Sequence, residues 1–181
     1  MSYVVEIVLY EPIWPTRFEQ LGSELRDALG TTALRIDHIG STAVPGLAAK
    51  PIIDIQISVA AFEPLDAYRL PLERLGYVFR ADNTERTKRY FREALGTPRR
   101  HIHVRRAGSW AEQFALLFLD YLRTHAKESR RYESLKYQLA AKYKEDRHGY
   151  TDAKVPFIWE IMAKADRWSQ GVGWDPGPSD A

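Results

Sequence analysis

One eight-residue stretch limits this chain more than any other: IIDIQISV, residues 52–59. Its β-branched residues favour extended backbone, and side chains on a strand alternate between two faces. Ile53, Ile55, Ile57 and Val59 therefore share one face, while Asp54, Gln56 and Ser58 share the other. Such a strand belongs in a sheet with an apolar core on one side. An unpaired carboxylate among isoleucines is costly, so Asp54 must meet a cation, a set of donors, or water at a cleft. As a structural acid it would pair with Lys50 or with an arginine. As a functional acid it would face a ligand.

The residues upstream favour a ligand carrying phosphate. The segment 33–39, ALRIDHI, reads as a strand that ends at Gly40-Ser41. Glycine lets backbone approach a ligand closely, and successive N–H groups in a turn attract anions. Thirteen residues separate Ser41 from Asp54, enough for a loop that returns the chain to a neighbouring strand. Charge points the same way. Between Arg80 and Arg106 nine Lys/Arg face three acids, although the whole chain carries only +2. This basic segment suits phosphate-bearing partners, or equally a solvated, strand-flanking surface.

The rest of the chain reads as an α+β domain. Residues 4–10 form an expected first strand, and Phe18, Leu21, Leu25, Ala28 and Leu29 recur at helical spacing after Pro15. Residues 64–75 read as helix, and 77–81, 88–95 and 100–106 as strands. On the last of these, RHIHVRR, Ile102 and Val104 face one way and His101, His103 and Arg105 the other. Beyond Gly108 the periodicity turns helical. Ser109 with Glu112 has capping-box spacing, long helical patterns cover 126–147 and 151–170, and Pro156 belongs in a first turn. Trp110, Phe114, Phe118, Phe157 and Trp159 follow the helical stripe and are expected to pack in a core. The expected plan is one domain over 1–170, with an α/β core to about 107, a helical portion from 109 to 170 packed on it, and a loose Gly/Pro-rich tail at 171–181. With no cysteine, disulfides and thiolate chemistry are excluded. Neither a secretory leader nor a membrane-spanning run is visible, so a cytoplasmic protein without membrane contact is expected.

A resemblance sharpens this reading. IDHIGSTAVPGLAAKPIIDIQISV, with HIHV, FLDYLRTH, YESLKYQLAAKY and YTDAKVPFI, resembles the GrpB family over nearly the whole chain, about Val5 to Asp166. That family is similar to the nucleotidyltransferase superfamily of DNA polymerase beta, and is also found fused to dephospho-CoA kinases. The resemblance implies a nucleotidyltransferase-like mixed sheet flanked by helices. It implies that Gly40 and Ser41 hold the β- and γ-phosphates of a nucleoside triphosphate, and that Asp54 coordinates Mg2+ for in-line attack at the α-phosphorus. Gln56 departs from the pattern, because active transferases carry a second acid there. A carbonyl is a poorer ligand than a carboxylate for a hard dication.

The remaining candidates extend from this motif. Thr42 and Lys50 are expected phosphate contacts beside Gly40 and Ser41; Lys50 alternatively pairs with Asp54. His103 is a candidate general base, and His101 or His103 with Arg105 a phosphate clamp. His101 and His103 with Asp54, or with His38, make an alternative metal set, because imidazole suits softer ions than magnesium. Tyr132 and Lys136 share a helix face, as do Tyr150 and Lys154. Each pair would close over a nucleotide or form a helix–helix seam; Lys136 is the expected phosphate contact among them. Three functions compete: nucleotidyl transfer to an unidentified acceptor, a non-catalytic phosphate-binding module of the same fold, and a His/Asp metal-dependent enzyme. Nucleic-acid binding by the basic segment is a weaker fourth.

Overall fold

The structure, a computed structural model, describes residues 4–181. Five strands form one mixed sheet in the order β1-β2-β5-β4-β3: β1 Arg35–Ile39, β2 Ile53–Val59, β3 Tyr77–Phe79, β4 Arg89–Glu93 and β5 Arg100–Arg106. β2 pairs antiparallel with β1 and parallel with β5, and β5–β4 and β4–β3 are antiparallel. The α+β class and mixed sheet expected from the pattern are present.

Alternation along the strands decides what covers each face. Ile36, Ile53, Ile55, Ile57, Phe91, Ile102 and Val104 form one core with Trp14, Phe18 and Leu25 of α1 (Ile13–Leu29) and Tyr68 and Leu72 of α2 (Asp66–Arg74). The opposite face receives α3 (Trp110–Thr124), whose Glu112 carbonyl accepts a bond from Gln56 Nε2 at 3.3 Å. Ser109 caps α3 as expected, accepting from the Glu112 N–H, while Glu112 reaches back to the Gly108 N–H at 2.6 Å. A second core joins α3 to α4 (Ala126–Lys142), α6 (Val155–Val172) and the 43–47 loop. A short α5, Arg147–Asp152, lies between α4 and α6 and was not legible as a separate helix. No helix among the described residues is long and apolar enough to cross a membrane.

Some expectations need correction. Residues 4–10 are not a strand; they contribute a single antiparallel bridge, Val8 with Ala49. Trp110 and Trp159 are exposed, at 66% and 55%, although Phe114, Phe118 and Phe157 pack on the second core as expected. The composition of the last residues suggested a loose tail. In the structure they run along β1: the Ala181 N–H donates to the Ile36 carbonyl at 3.1 Å, the Ile36 N–H to Ser179 Oγ at 2.8 Å, and the His38 N–H to Asp180 Oδ2 at 2.9 Å.

Candidate functional site

Parallel pairing of β2 with β5 sets Asp54 beside His101 and Gln56 beside His103. All four lie on the face away from the α1/α2 core. Asp54 Oδ1 accepts from His101 Nδ1 at 3.1 Å and from His103 Nε2 at 3.4 Å. Burial alone would raise the Asp54 carboxyl, but these two imidazole bonds outweigh it and hold the group far below the usual carboxylate range. Burial pushes His103 down, with Asp54 opposing. Tyr90 of β4 packs over both rings, 5.6 Å from His101 and 5.2 Å from His103. One nitrogen of each histidine, His101 Nε2 and His103 Nδ1, is buried with no hydrogen-bond partner among the described residues.

The glycine turn meets this acid. Gly40 follows β1 directly, and Ile39 pairs with Asp54 across the ladder. At φ +76° Gly40 adopts a conformation that L side chains rarely take, and a Cβ there would stand 2.8 Å from Asp54 Oδ2. Only glycine lets the turn lie against the carboxylate. Thr42 is a strut: its hydroxyl donates to the Ile52 carbonyl at 3.1 Å and accepts from His38 Nε2 at 3.0 Å.

Around this floor opens a cleft of about 610 Å³. Gly40, Ser41, Thr42, Lys50, Asp54, His101, His103 and Lys136, all singled out in the sequence, line it together. Its walls carry an unusual density of cations. Lys50 and Lys154 approach the ring of buried Tyr150, at 4.6 and 4.7 Å, and Lys136 lies over Tyr132 at 4.7 Å. Lys136 is 2% exposed and donates to the Ala48 carbonyl. Burial, then the charge of Lys154, pushes Lys136 down to about 7. Burial, then Lys154 and Arg147, pushes Lys50 down to about 8. None of these three lysines forms an ion pair among the described residues. Asp54, the acid that could have been Lys50's partner, is bound instead by the two histidines.

Two sequence candidates lie elsewhere. Arg105 is not among the cleft-lining residues; its guanidinium donates to Glu85 Oε1 at 3.0 Å. Others of the basic segment are similarly engaged, Arg80 on Asp82, Arg92 on Glu93 and Lys88 on Glu85, and of its Lys/Arg only Lys88 lines the cleft. His38 cannot join a metal set with Asp54. It sits in register with Ile55 on the other face of the sheet, stacks on Phe18 at 4.8 Å, and is pushed down to about 4 by burial and then by Arg123. It lines a separate, larger cavity of about 840 Å³ that contains none of Asp54, His101 or His103. Gln56 is fully buried beneath α3 and also outside the cleft.

Sequence reading missed Arg147, Lys88 and Tyr90 as cleft residues. The Tyr150/Lys154 spacing was a usable signal for one wall. Nothing local marked Tyr90, which reaches the histidines only through the β4–β5 register.

A model of the GrpB protein family matches residues 4–164. The UPF0157 protein YqkA of Bacillus subtilis is 35% identical over 167 residues, which are 92% of this chain and 49% of that protein. A dephospho-CoA kinase of Mycobacterium tuberculosis is 31% identical over 195 residues, covering 94% of this chain and 48% of the kinase. The chain thus spans about half the length of these two relatives. The crystal structure of the conserved protein GrpB from Enterococcus faecalis superposes with a TM-score of 0.82 at 32% identity, covering 90% of this chain and 99% of that one.

Proposed function

The chain belongs to the GrpB family, and on that premise we propose that its cleft binds the phosphate chain of a small molecule, a nucleoside triphosphate by preference. One observation carries the reading. Lys50, Lys136 and Lys154 converge in one cleft and form no ion pair among the described residues, and the charge of Lys154, after burial, lowers the protonation of both Lys50 and Lys136. Crowded, partly desolvated cations are costly in the free protein, and a polyanion relieves that cost directly. The Gly40-Ser41 turn supplies backbone on the same wall. Tyr90, half-buried on β4, supplies aromatic surface beside the charges, suited to a base.

The proposal is binding. The superfamily resemblance also implies nucleotidyl transfer through two magnesium ions. The position of the second acid is Gln56, which is closed under α3 and does not reach the cleft. The floor offers one carboxylate and two imidazoles. Mg2+ instead requires near-octahedral oxygen ligation. These residues do not fit magnesium.

Thermal unfolding tests the reading. A nucleoside triphosphate and inorganic tripolyphosphate should each raise Tm in a concentration-dependent way, and the corresponding nucleoside should not. The effect should shrink with added salt. Equal stabilisation by the nucleoside, or none by either polyphosphate, would remove the proposal.

A further inference from the structure

We propose that Asp54, His101 and His103 form a mononuclear site for a first-row transition ion, selective for Mn2+, Co2+ or Zn2+ over Mg2+. Their donor atoms all lie within 4.8 Å of one another. Around an ion bound at about 2.0–2.2 Å, neighbouring ligands stand about 3.0–3.5 Å apart. The observed Oδ1–Nδ1 and Oδ1–Nε2 separations, 3.1 and 3.4 Å, fall within that interval. A small inward shift converts two N–H donations into two lone-pair donations around one ion.

The supporting shell is unusually fixed for three ligands from different parts of the chain. Asp54 and the two histidines come from adjacent parallel strands, so the ladder sets their separation. The bare Cα of Gly40 leaves room for Asp54 Oδ2, and Tyr90 restrains both rings. His101 Nε2 and His103 Nδ1, the nitrogens turned away from Asp54, have no hydrogen-bond partner among the described residues, so strand register and Tyr90 rather than second-shell hydrogen bonds orient the two rings. Each imidazole makes its one polar contact with Asp54. Donor chemistry then selects the ion, since one carboxylate with two imidazoles suits borderline divalent ions and disfavours magnesium. The open side of the triad faces the cleft, where Lys50 and Lys136 stand. An oxygen of an anionic ligand would complete the coordination there. That last step rests on the phosphate reading; the three protein ligands do not.

Calorimetric titration of the full chain with Co2+, Zn2+ and Mg2+, in buffer free of phosphate ligands, tests the site. One equivalent of Co2+ or Zn2+ should bind at least about a hundredfold more tightly than Mg2+. His103→Ala and Asp54→Asn should each weaken binding by at least about a hundredfold. His148→Ala, in the same cleft but outside the triad, should change it less than about twofold. Should a triad variant fail to fold, the wild-type Co2+ complex still decides: two paramagnetically shifted, exchangeable imidazole N–H resonances are expected. Mg2+ bound as tightly as Co2+, binding unchanged in a folded His103→Ala, or absence of those resonances would overturn the assignment. Polyphosphate is absent throughout, so failure here leaves the phosphate reading standing, and the reverse also holds.

Discussion

Replacing Lys136 by methionine should stabilise the protein and flatten its dependence on pH. The side chain is 2% exposed and its ammonium bonds to the Ala48 carbonyl. Burial and Lys154 lower its pKa from 10.5 to about 7. Between those values the unfolded chain carries a proton that the folded chain has lost, so stability rises with pH across that window. Each pKa unit is worth about 1.4 kcal/mol. Burying the amine therefore costs about 4 kcal/mol at pH 7 and about 2 kcal/mol at pH 9. Methionine is of similar length and removes that cost, but it leaves the Ala48 carbonyl without its partner, a loss of about 1–2 kcal/mol. The variant should gain about 2–3 kcal/mol at pH 7 and roughly nothing at pH 9. Lys50, pushed down to about 8, adds a rise of the same sign to both proteins, and subtracting the two curves removes it. Urea denaturation at the two pH values reads the difference. A destabilised variant at pH 7, or a gain that does not change with pH, would refute the idea that this lysine is retained at a cost to the fold.

Three further outcomes follow from the geometry. Gly40→Ala should lower the unfolding free energy by about 1–3 kcal/mol, because it combines a positive φ with a Cβ 2.8 Å from Asp54 Oδ2; denaturant melts within about 0.5 kcal/mol of wild type would contradict this. Ser109→Ala should cost about 1 kcal/mol through loss of the α3 cap, and an unchanged midpoint would show that the Glu112–Gly108 bond suffices alone. Deleting residues 177–181 should raise amide exchange at Ile36 and His38, whose N–H groups bond to Ser179 and Asp180; unchanged protection would mean that the tail does not cover that edge.

The sequence carried the sheet interior well and its margins poorly. Period-two alternation placed β1, β2 and β5 and the faces of Asp54, His101 and His103, because a one-residue slip would bury the polar set. The same alternation at 4–10 was misleading. Periodicity reports that a segment suits an edge, not that an edge is open, and residues 177–181 already bond along β1. His38 shows the other limit. Composition made it a candidate ligand, whereas the β1–β2 register sets it beside Ile55 on the apolar core face. The glycine turn and the acid were legible because both belong to one strand–loop–strand unit. The cationic wall was legible in part: helical spacing marked Lys136 and Lys154, but nothing marked Arg147, and all three reach the cleft only when α4, α5 and α6 dock. Local charge density suited a phosphate face and a solvated face equally; in the structure Arg80, Lys88, Arg92 and Arg105 of the 80–106 segment pair with nearby acids.

The most direct test of the account is calorimetric titration of a non-hydrolysable nucleoside triphosphate into wild type and into Lys50→Met, Lys136→Met and Lys154→Met at pH 7. Wild type should bind one equivalent, each substitution should weaken binding by about tenfold or more, corresponding to about 1.4 kcal/mol, and wild-type affinity should fall as pH rises past the lysines' pKa values of about 7 and 8. Undiminished binding in all three variants, or no binding to the wild type, would contradict it.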